Sequence, residues 1–151
     1  GVYIPLFWST TGFVHAEGGY LTEQGDKLIP DYEKFYLGGI NSIRGFDWRD
    51  IYVKDEDGAK TGGFKYVQFN LEYIFPLVEK AGLVGVVFYD TGNVYAQGDN
   101  IDLGSLRESA GAGFRWFSPM GPIRLEYGHI LDKTEDEEDS GQWEFSMGAA
   151  F

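Results

Sequence analysis

The 151 residues contain no cysteine, which excludes a disulfide framework and a thiolate metal site and leaves the redox compartment open. They contain no run near the ~20 continuous apolar residues that a membrane helix requires. The most apolar stretch, Leu83 to Tyr89, is far too short. Positive charge is scarce. Twelve Lys and Arg against 24 Asp and Glu give a net charge of −12, which argues against nucleic acid as a partner. Catalytic signatures are missing too. There is no phosphate loop, no paired-His metal spacing and no Gly-x-Ser-x-Gly turn. His129 with Ser109 or Ser146 on neighbouring strands is the one hydrolase-like combination, and nothing else supports it. The expectation is a non-enzymatic protein without a cofactor or metal. The chain begins at Gly1 with no leader-like segment, and reads as processed or trimmed.

What is plentiful is glycine, 22 residues, and aromatic side chains, 17%. With little Lys and no dominance of Leu or Ala, this composition reads as all-β. The length fits one domain, residues 1–151. A barrel strand crosses a membrane in ~9–11 residues of which only alternate ones need be apolar. A mean hydropathy of −0.26 therefore does not argue against a membrane barrel.

Period-two alternation is the main signal. In Gln142 to Phe151 one face carries Trp143, Phe145, Met147, Ala149 and Phe151, and the other Gln142, Glu144, Ser146, Gly148 and Ala150. Phe64 to Phe75 sets Lys65, Val67, Phe69, Leu71, Tyr73 and Phe75 against Tyr66, Gln68, Asn70 and Glu72. Ser109 to Phe117 sets Ala110, Ala112, Phe114 and Trp116 against Ser109, Gly111, Gly113 and Arg115. Pro122 to Ile130 sets Ile123, Leu125, Tyr127 and His129 against Arg124, Glu126 and Gly128. Leu83 to Tyr95 has a less polar inner face of Val84, Val86, Phe88 and Asp90. Thr10 to Leu21 is weaker, with Val14, Ala16, Gly18 and Tyr20 opposite His15 and Glu17, so the two histidines face opposite sides. Glu33 to Gly39 reads as a seventh strand, and Val2 to Pro5 as the stub of another.

The connections alternate between short and long, except for Thr22 to Tyr32, and aromatic residues gather at strand ends. Both are habits of outer-membrane barrels, whose interfacial girdles favour amphipathic rings. An aromatic-rich soluble core gives the same period, so a lipocalin-like soluble barrel stays open at this point. The acidic run Asp132 to Asp139 reads as a solvated loop in preference to a cation site. Arg115 and Arg124 with Glu126, Glu144 and Glu17 read as ordinary cross-strand pairs.

Several segments together resemble one family. Gly38 to Phe46, GGINSIRGF, resembles the loop of BamA-type outer-membrane assembly factors, the bacterial surface-antigen superfamily, whose [V/I]RGF tetrad sits on a long extracellular loop folded back into the barrel. Here the tetrad is Ile43, Arg44, Gly45 and Phe46. Gly62 to Pro76, with its Gly-Gly start and Glu-x-x-x-Pro end, is similar to the strand that follows. Val87 to Tyr95 is similar to the next, and Leu106 to Gly128 to the two after it. The chain ends, as those proteins do, on an aromatic residue.

The resemblance implies an antiparallel transmembrane β-barrel of about eight strands, the C-terminal half of a sixteen-stranded family barrel. The first half and the soluble periplasmic repeats lie outside it. It implies residence in the bacterial outer membrane and a part in folding and inserting outer-membrane proteins. The implied partners are outer-membrane lipid and, for the full-length family, nascent outer-membrane proteins and assembly lipoproteins. Spacing by itself leaves Arg44 equally open as a solvated loop residue. The resemblance implies that it pairs inside the barrel with Glu72, Asp90 or both. An unpaired buried charge is costly, and the guanidinium fork suits carboxylates. Gly45 and Phe46 would then let the loop tip pack against the wall. Trp143, Phe145, Met147 and Phe151 resemble the C-terminal signal strand, a kind of strand read by addition to a sheet edge. Without the first half, the expectation is closure as a small eight-stranded barrel or self-association through the exposed edge. A standalone barrel with a structural or binding role is the other membrane reading.

Overall fold

Alternating side chains put every second residue on one face of a strand, and a long antiparallel sheet collects those faces into two surfaces. In the computed structural model, which describes residues 1–25, 28–135, 137 and 139–148, this collection is nearly complete. Seven strands form one antiparallel sheet in the order β1 (Val2–Pro5), β2 (Thr11–Tyr20), β5 (Lys65–Val78), β6 (Leu83–Tyr95), β7 (Arg107–Ser118), β8 (Gly121–Ile130) and β9 (Gly141–Met147). A separate two-stranded hairpin, β3 (Val53–Lys54) with β4 (Lys60–Thr61), lies in the long connection between β2 and β5. Each strand of the main sheet pairs with its neighbour in sequence order. Among the described residues β1 and β9 do not pair, so the sheet has two free edges.

Glu33 to Gly39 is not a wall strand, contrary to its alternation. Asp31–Glu33 forms a 3₁₀ turn, and the following residues make two isolated bridges, Phe35 with Gly63 and Leu37 with Ile51. These bridges tie the segment to other parts of its own connection, and Leu37 packs in the core. A short apolar alternation satisfies a loop folded onto itself as well as a sheet. Removing this strand also removes the one exception to the loop pattern. Residues 6–10, 79–82 and 119–120 connect strands at one end, while 21–64, 96–106 and 131–140 connect them at the other.

The two faces have opposite chemistry to a soluble protein. The inner face carries buried Gln68, Asn70, Asp90, Ser109, Arg115, Arg124, Glu126 and Glu144. The outer face carries exposed Leu71, Val87, Phe114 and Leu125, and on β9 Trp143 (63% exposed), Phe145 (63%) and Met147 (61%). A soluble barrel of the lipocalin kind would leave that apolar surface in water, and contiguous patches of this kind mark a membrane or partner. Phe151, with Ala149 and Ala150, lies outside the described residues.

The apolar core is small and sits at the long-loop end. In its main cluster Leu37, Ile43, Phe46 and Ile51 come from the 21–64 connection and Val94 and Ile130 from the wall, which also buries Val86, Phe88 and Tyr95. The connection therefore folds onto the inner face and supplies four of the six residues of that cluster. Ile43 and Phe46 are fully buried, which stabilises the docked loop by roughly 1.5–3 kcal/mol for each side chain.

Candidate functional site

The site begins with a conflict set by the register. β7 pairs β8 with Arg115 opposite Arg124, and β8 pairs β9 with Glu126 opposite Glu144. Like charges directly opposite are destabilising. Relief comes from diagonal pairing and from a cation delivered by the loop. Arg124 turns along its own strand, its Nε donating to Glu126 Oε2 at 2.8 Å. Arg115 donates through Nη2 to Glu126 Oε1 at 2.7 Å and reaches across β6 to Glu72 on β5, Nη1 to Oε2 at 2.8 Å and Nη2 to Oε1 at 2.6 Å. The ordinary cross-strand ladder is thus replaced by a network. Glu17 stands outside it, accepting from the Tyr66 hydroxyl at 2.6 Å.

Arg44 enters this network from the loop. Its Nε and Nη2 donate to the two oxygens of Asp90, both at 2.7 Å, as a bidentate fork. Its Nη1 donates to Glu72 Oε1 at 2.6 Å and to Glu126 Oε1 at 3.2 Å. Its backbone N–H donates to Asp90 Oδ2 at 3.0 Å, and its guanidinium lies 3.7 Å from the centroid of the Phe88 ring. Arginine presents five N–H donors and stays charged in proteins, so a pocket of three carboxylates and one ring face suits it in a way lysine cannot match. Among the described residues the buried cluster sets Arg44, Arg115 and Arg124 against Glu72, Asp90, Glu126 and Glu144.

The tip beyond Arg44 is fixed by backbone contacts. Gly45 has φ 93° and donates its N–H to Glu144 Oε1 at 3.0 Å. A Cβ on Gly45 would lie 2.9 Å from the carbonyl of Gly128, and a Cβ on Gly128 would lie 2.6 Å from the carbonyl carbon of Arg44. Two glycines are needed here because two backbones meet face to face. Phe46 is held by its carbonyl, which accepts from Gln142 Nε2 at 3.1 Å, and by Arg107, whose guanidinium lies 4.8 Å from its ring centroid. On the other side of Arg44, Asn70 Nδ2 donates to the Ser42 carbonyl at 2.8 Å and to Asp90 Oδ1 at 2.9 Å.

The loop residues Ile43, Arg44, Gly45 and Phe46 and the wall residues Glu72 and Asp90 therefore meet at one place. Trp143, Phe145 and Met147 do not. They point outward from β9, away from the charge network, while Gln142 and Glu144 of the same strand point into it. The sequence reading missed Glu126 and Glu144 as partners of the loop, and missed Gly128, Phe88 and Arg107. Inward parity was available for most of them, but parity does not say which loop atom arrives. The acidic run also differs from a freely solvated loop. Asp132 Oδ2 accepts from Arg107 Nε at 2.9 Å, and Glu137 Oε1 accepts from Arg107 Nη2 at 2.6 Å. The hydrolase pairing fails on geometry. His129 is exposed on the outer face, while Ser109 and Ser146 lie on the inner one.

The model of the Omp85 superfamily domain matches residues 1–151. The chain is 43% identical over 137 residues to an outer membrane protein assembly factor BamA of Nitratidesulfovibrio vulgaris, covering 89% of this chain and 17% of that protein. It is 32% identical over 181 residues to BamA of Neisseria meningitidis, covering 99% of this chain and 23% of that protein. The chain thus spans about a fifth of the length of the curated relatives it matches. Among solved structures, BamA from Haemophilus ducreyi lacking POTRA domains 1–3 superposes with a TM-score of 0.76 at 29% identity, over 93% of this chain and 32% of that one.

Proposed function

Because the chain belongs to the Omp85 superfamily, we propose that it forms the C-terminal part of a transmembrane barrel in a bacterial outer-membrane protein assembly factor. Its role there is to help fold and insert other outer-membrane proteins. The observation that carries this reading is the clamp on the loop tip. Four wall strands hold it at once: β5 through Glu72, β6 through Asp90, β8 through Glu126 and β9 through Glu144. A barrel wall needs no such brace to span lipid. A wall whose last strand must keep one edge unpaired does, because a free edge otherwise slips register or closes on itself.

The chemistry is non-covalent and needs no cofactor. An incoming strand adds to the β9 edge by main-chain hydrogen bonds, with alternate side chains giving selectivity. The driving free energy comes from burying apolar surface in lipid and completing backbone hydrogen bonds that lipid cannot satisfy. Trp143, Phe145 and Met147 supply the lipid-facing side of β9, and with Phe151 they form the signal strand through which this chain is itself recognised. Nascent outer-membrane proteins and assembly lipoproteins are the partners of the full-length protein, and outer-membrane lipid is its solvent.

The test uses the full-length assembly factor in liposomes, with the folding rate of a second barrel protein as readout. Acceleration above empty liposomes, reduced by Arg44→Ala, is expected. A rate equal to that in empty liposomes overturns the proposal and leaves a structural module.

A further inference from the structure

The 21–64 connection has two faces, one of them buried against the wall. Leu37, Ile43, Phe46 and Ile51 are buried against the wall. Tyr36, Trp48 and Arg49 belong to the other face, where Trp48 is 78% exposed. There the Arg49 guanidinium lies 3.9 Å from the centroid of the Tyr36 ring and 5.1 Å from that of Trp48. Stacking on rings uses the faces of a guanidinium and leaves its edge, with the N–H donors, available. Arg44, Arg107, Arg115 and Arg124 each pair with a carboxylate. Arg49 is the arginine that, among the described residues, pairs with none.

The arrangement is built, not incidental. Arg49 has φ 62°, a backbone state uncommon outside glycine, asparagine and aspartate. Such states persist where the surroundings fix them. Here the Asp50 N–H to Asp47 carbonyl bond closes the turn around it at 3.1 Å, and the Leu37 and Ile51 bridge pins the chain just beyond. The result is a rigid cation with an exposed indole beside it, held on a loop that is itself locked by Arg44.

We infer that this face docks against the wall strands that complete the barrel between the free edges of β1 and β9, and that their lumenal side presents a carboxylate to the Arg49 fork. The inference rests on the barrel reading above. A free edge at β1 is untenable in lipid, so further strands must pair there and carry the wall round toward β9, whose edge receives the incoming strand. The chain covers 32% of the BamA chain it superposes on, so a protein of that kind has further chain from which wall strands can come. That wall would close over the side of the loop that carries Trp48. The described inner face shows what such a wall offers, since its arginines are met by Glu72, Asp90 and Glu126. A lumenal position favours a fixed carboxylate over a lipid headgroup, which lies outside the barrel.

The test is photocrosslinking in the full-length assembly factor in outer-membrane vesicles, with Trp48 replaced by p-benzoylphenylalanine and the products mapped by mass spectrometry. The expected product is an intramolecular link to a wall strand outside these 151 residues, at or beside an Asp or Glu. Its yield falls with Arg49→Ala. It returns when Arg49→Glu is combined with Arg at the linked acid. A link to a second copy, links confined to residues 1–151, or no link in a protein that still migrates as a heat-modifiable barrel and still folds other barrels would overturn the docking surface while sparing the proposed function. Failure of the unsubstituted protein to form a heat-modifiable barrel would overturn both.

Discussion

Replacing Arg44 by Ala removes the only side-chain cation that, among the described residues, touches Asp90, a residue with no exposed surface. Asp90 would keep the backbone N–H of residue 44 and the Asn70 amide, and Glu72 and Glu126 would keep Arg115. The buried cluster goes from three guanidinium groups against four carboxylates to two against four. Breaking a buried ion pair by deleting one partner costs ~3–5 kcal/mol. At 1.4 kcal/mol per factor of ten, the open state of the loop rises roughly 100-fold to a few thousand-fold. The assay is chymotrypsin cleavage after Phe46 in the intact barrel, measured by mass spectrometry. Phe46 is fully buried, so cutting there requires the loop to leave the wall. Where opening and reclosing are fast, the cleavage rate follows the open population. The same peptide bond in the unfolded protein corrects for the altered recognition site. Arg44→Lys, which keeps the charge but not the fork, should fall between wild type and Ala. A corrected change below about threefold for Arg44→Ala, against the factor expected from a buried pair, would mean that the ion pairs do not hold the loop.

Glu126→Gln should destabilise the barrel more than Glu144→Gln in detergent unfolding. Glu126 accepts from three arginines, whereas Glu144 accepts from the Gly45 N–H and Gln142, and its Oε2 has no hydrogen-bond partner among the described residues. Equal losses would argue against the charge network as drawn. Gly128→Val should expel the loop tip, because its Cβ would meet the backbone of Arg44 and Gly45, and should raise cleavage after Phe46 even with Arg44 intact. Unchanged cleavage would show that the two backbones do not meet. Phe145→Arg should lower barrel stability in lipid by roughly 2–4 kcal/mol if residue 145 lies near the bilayer midplane, while Ser146→Arg, on the inner face, should cost less in the same urea titration. The reverse order would mean that the outer face is not in lipid. Arg107→Ala should speed proteolysis within 131–140, since Asp132 and Glu137 both hold to that guanidinium.

Alternation alone assigned the two faces. Trp143, Phe145 and Met147 outward with Glu144 inward, or Leu71 outward with Glu72 inward, follow from a side-chain period of two that no packing can alter. Strand positions such as Leu83–Tyr95, the grouping of long connections at one end and the opposite facing of the two histidines were legible for the same reason. Tertiary structure decided everything that depends on register and on where the loop goes. Period two says that Arg115, Arg124, Glu126 and Glu144 share a face. Only the pairing of β7, β8 and β9 sets like charges opposite one another and so creates a place for a cation from the loop. Glu33–Gly39 has the pattern of a strand but folds within its own connection, since a short apolar alternation is satisfied by either environment. The meeting of Gly45 with Gly128 joins positions more than 80 residues apart, and a contact at that separation leaves no trace in local spacing.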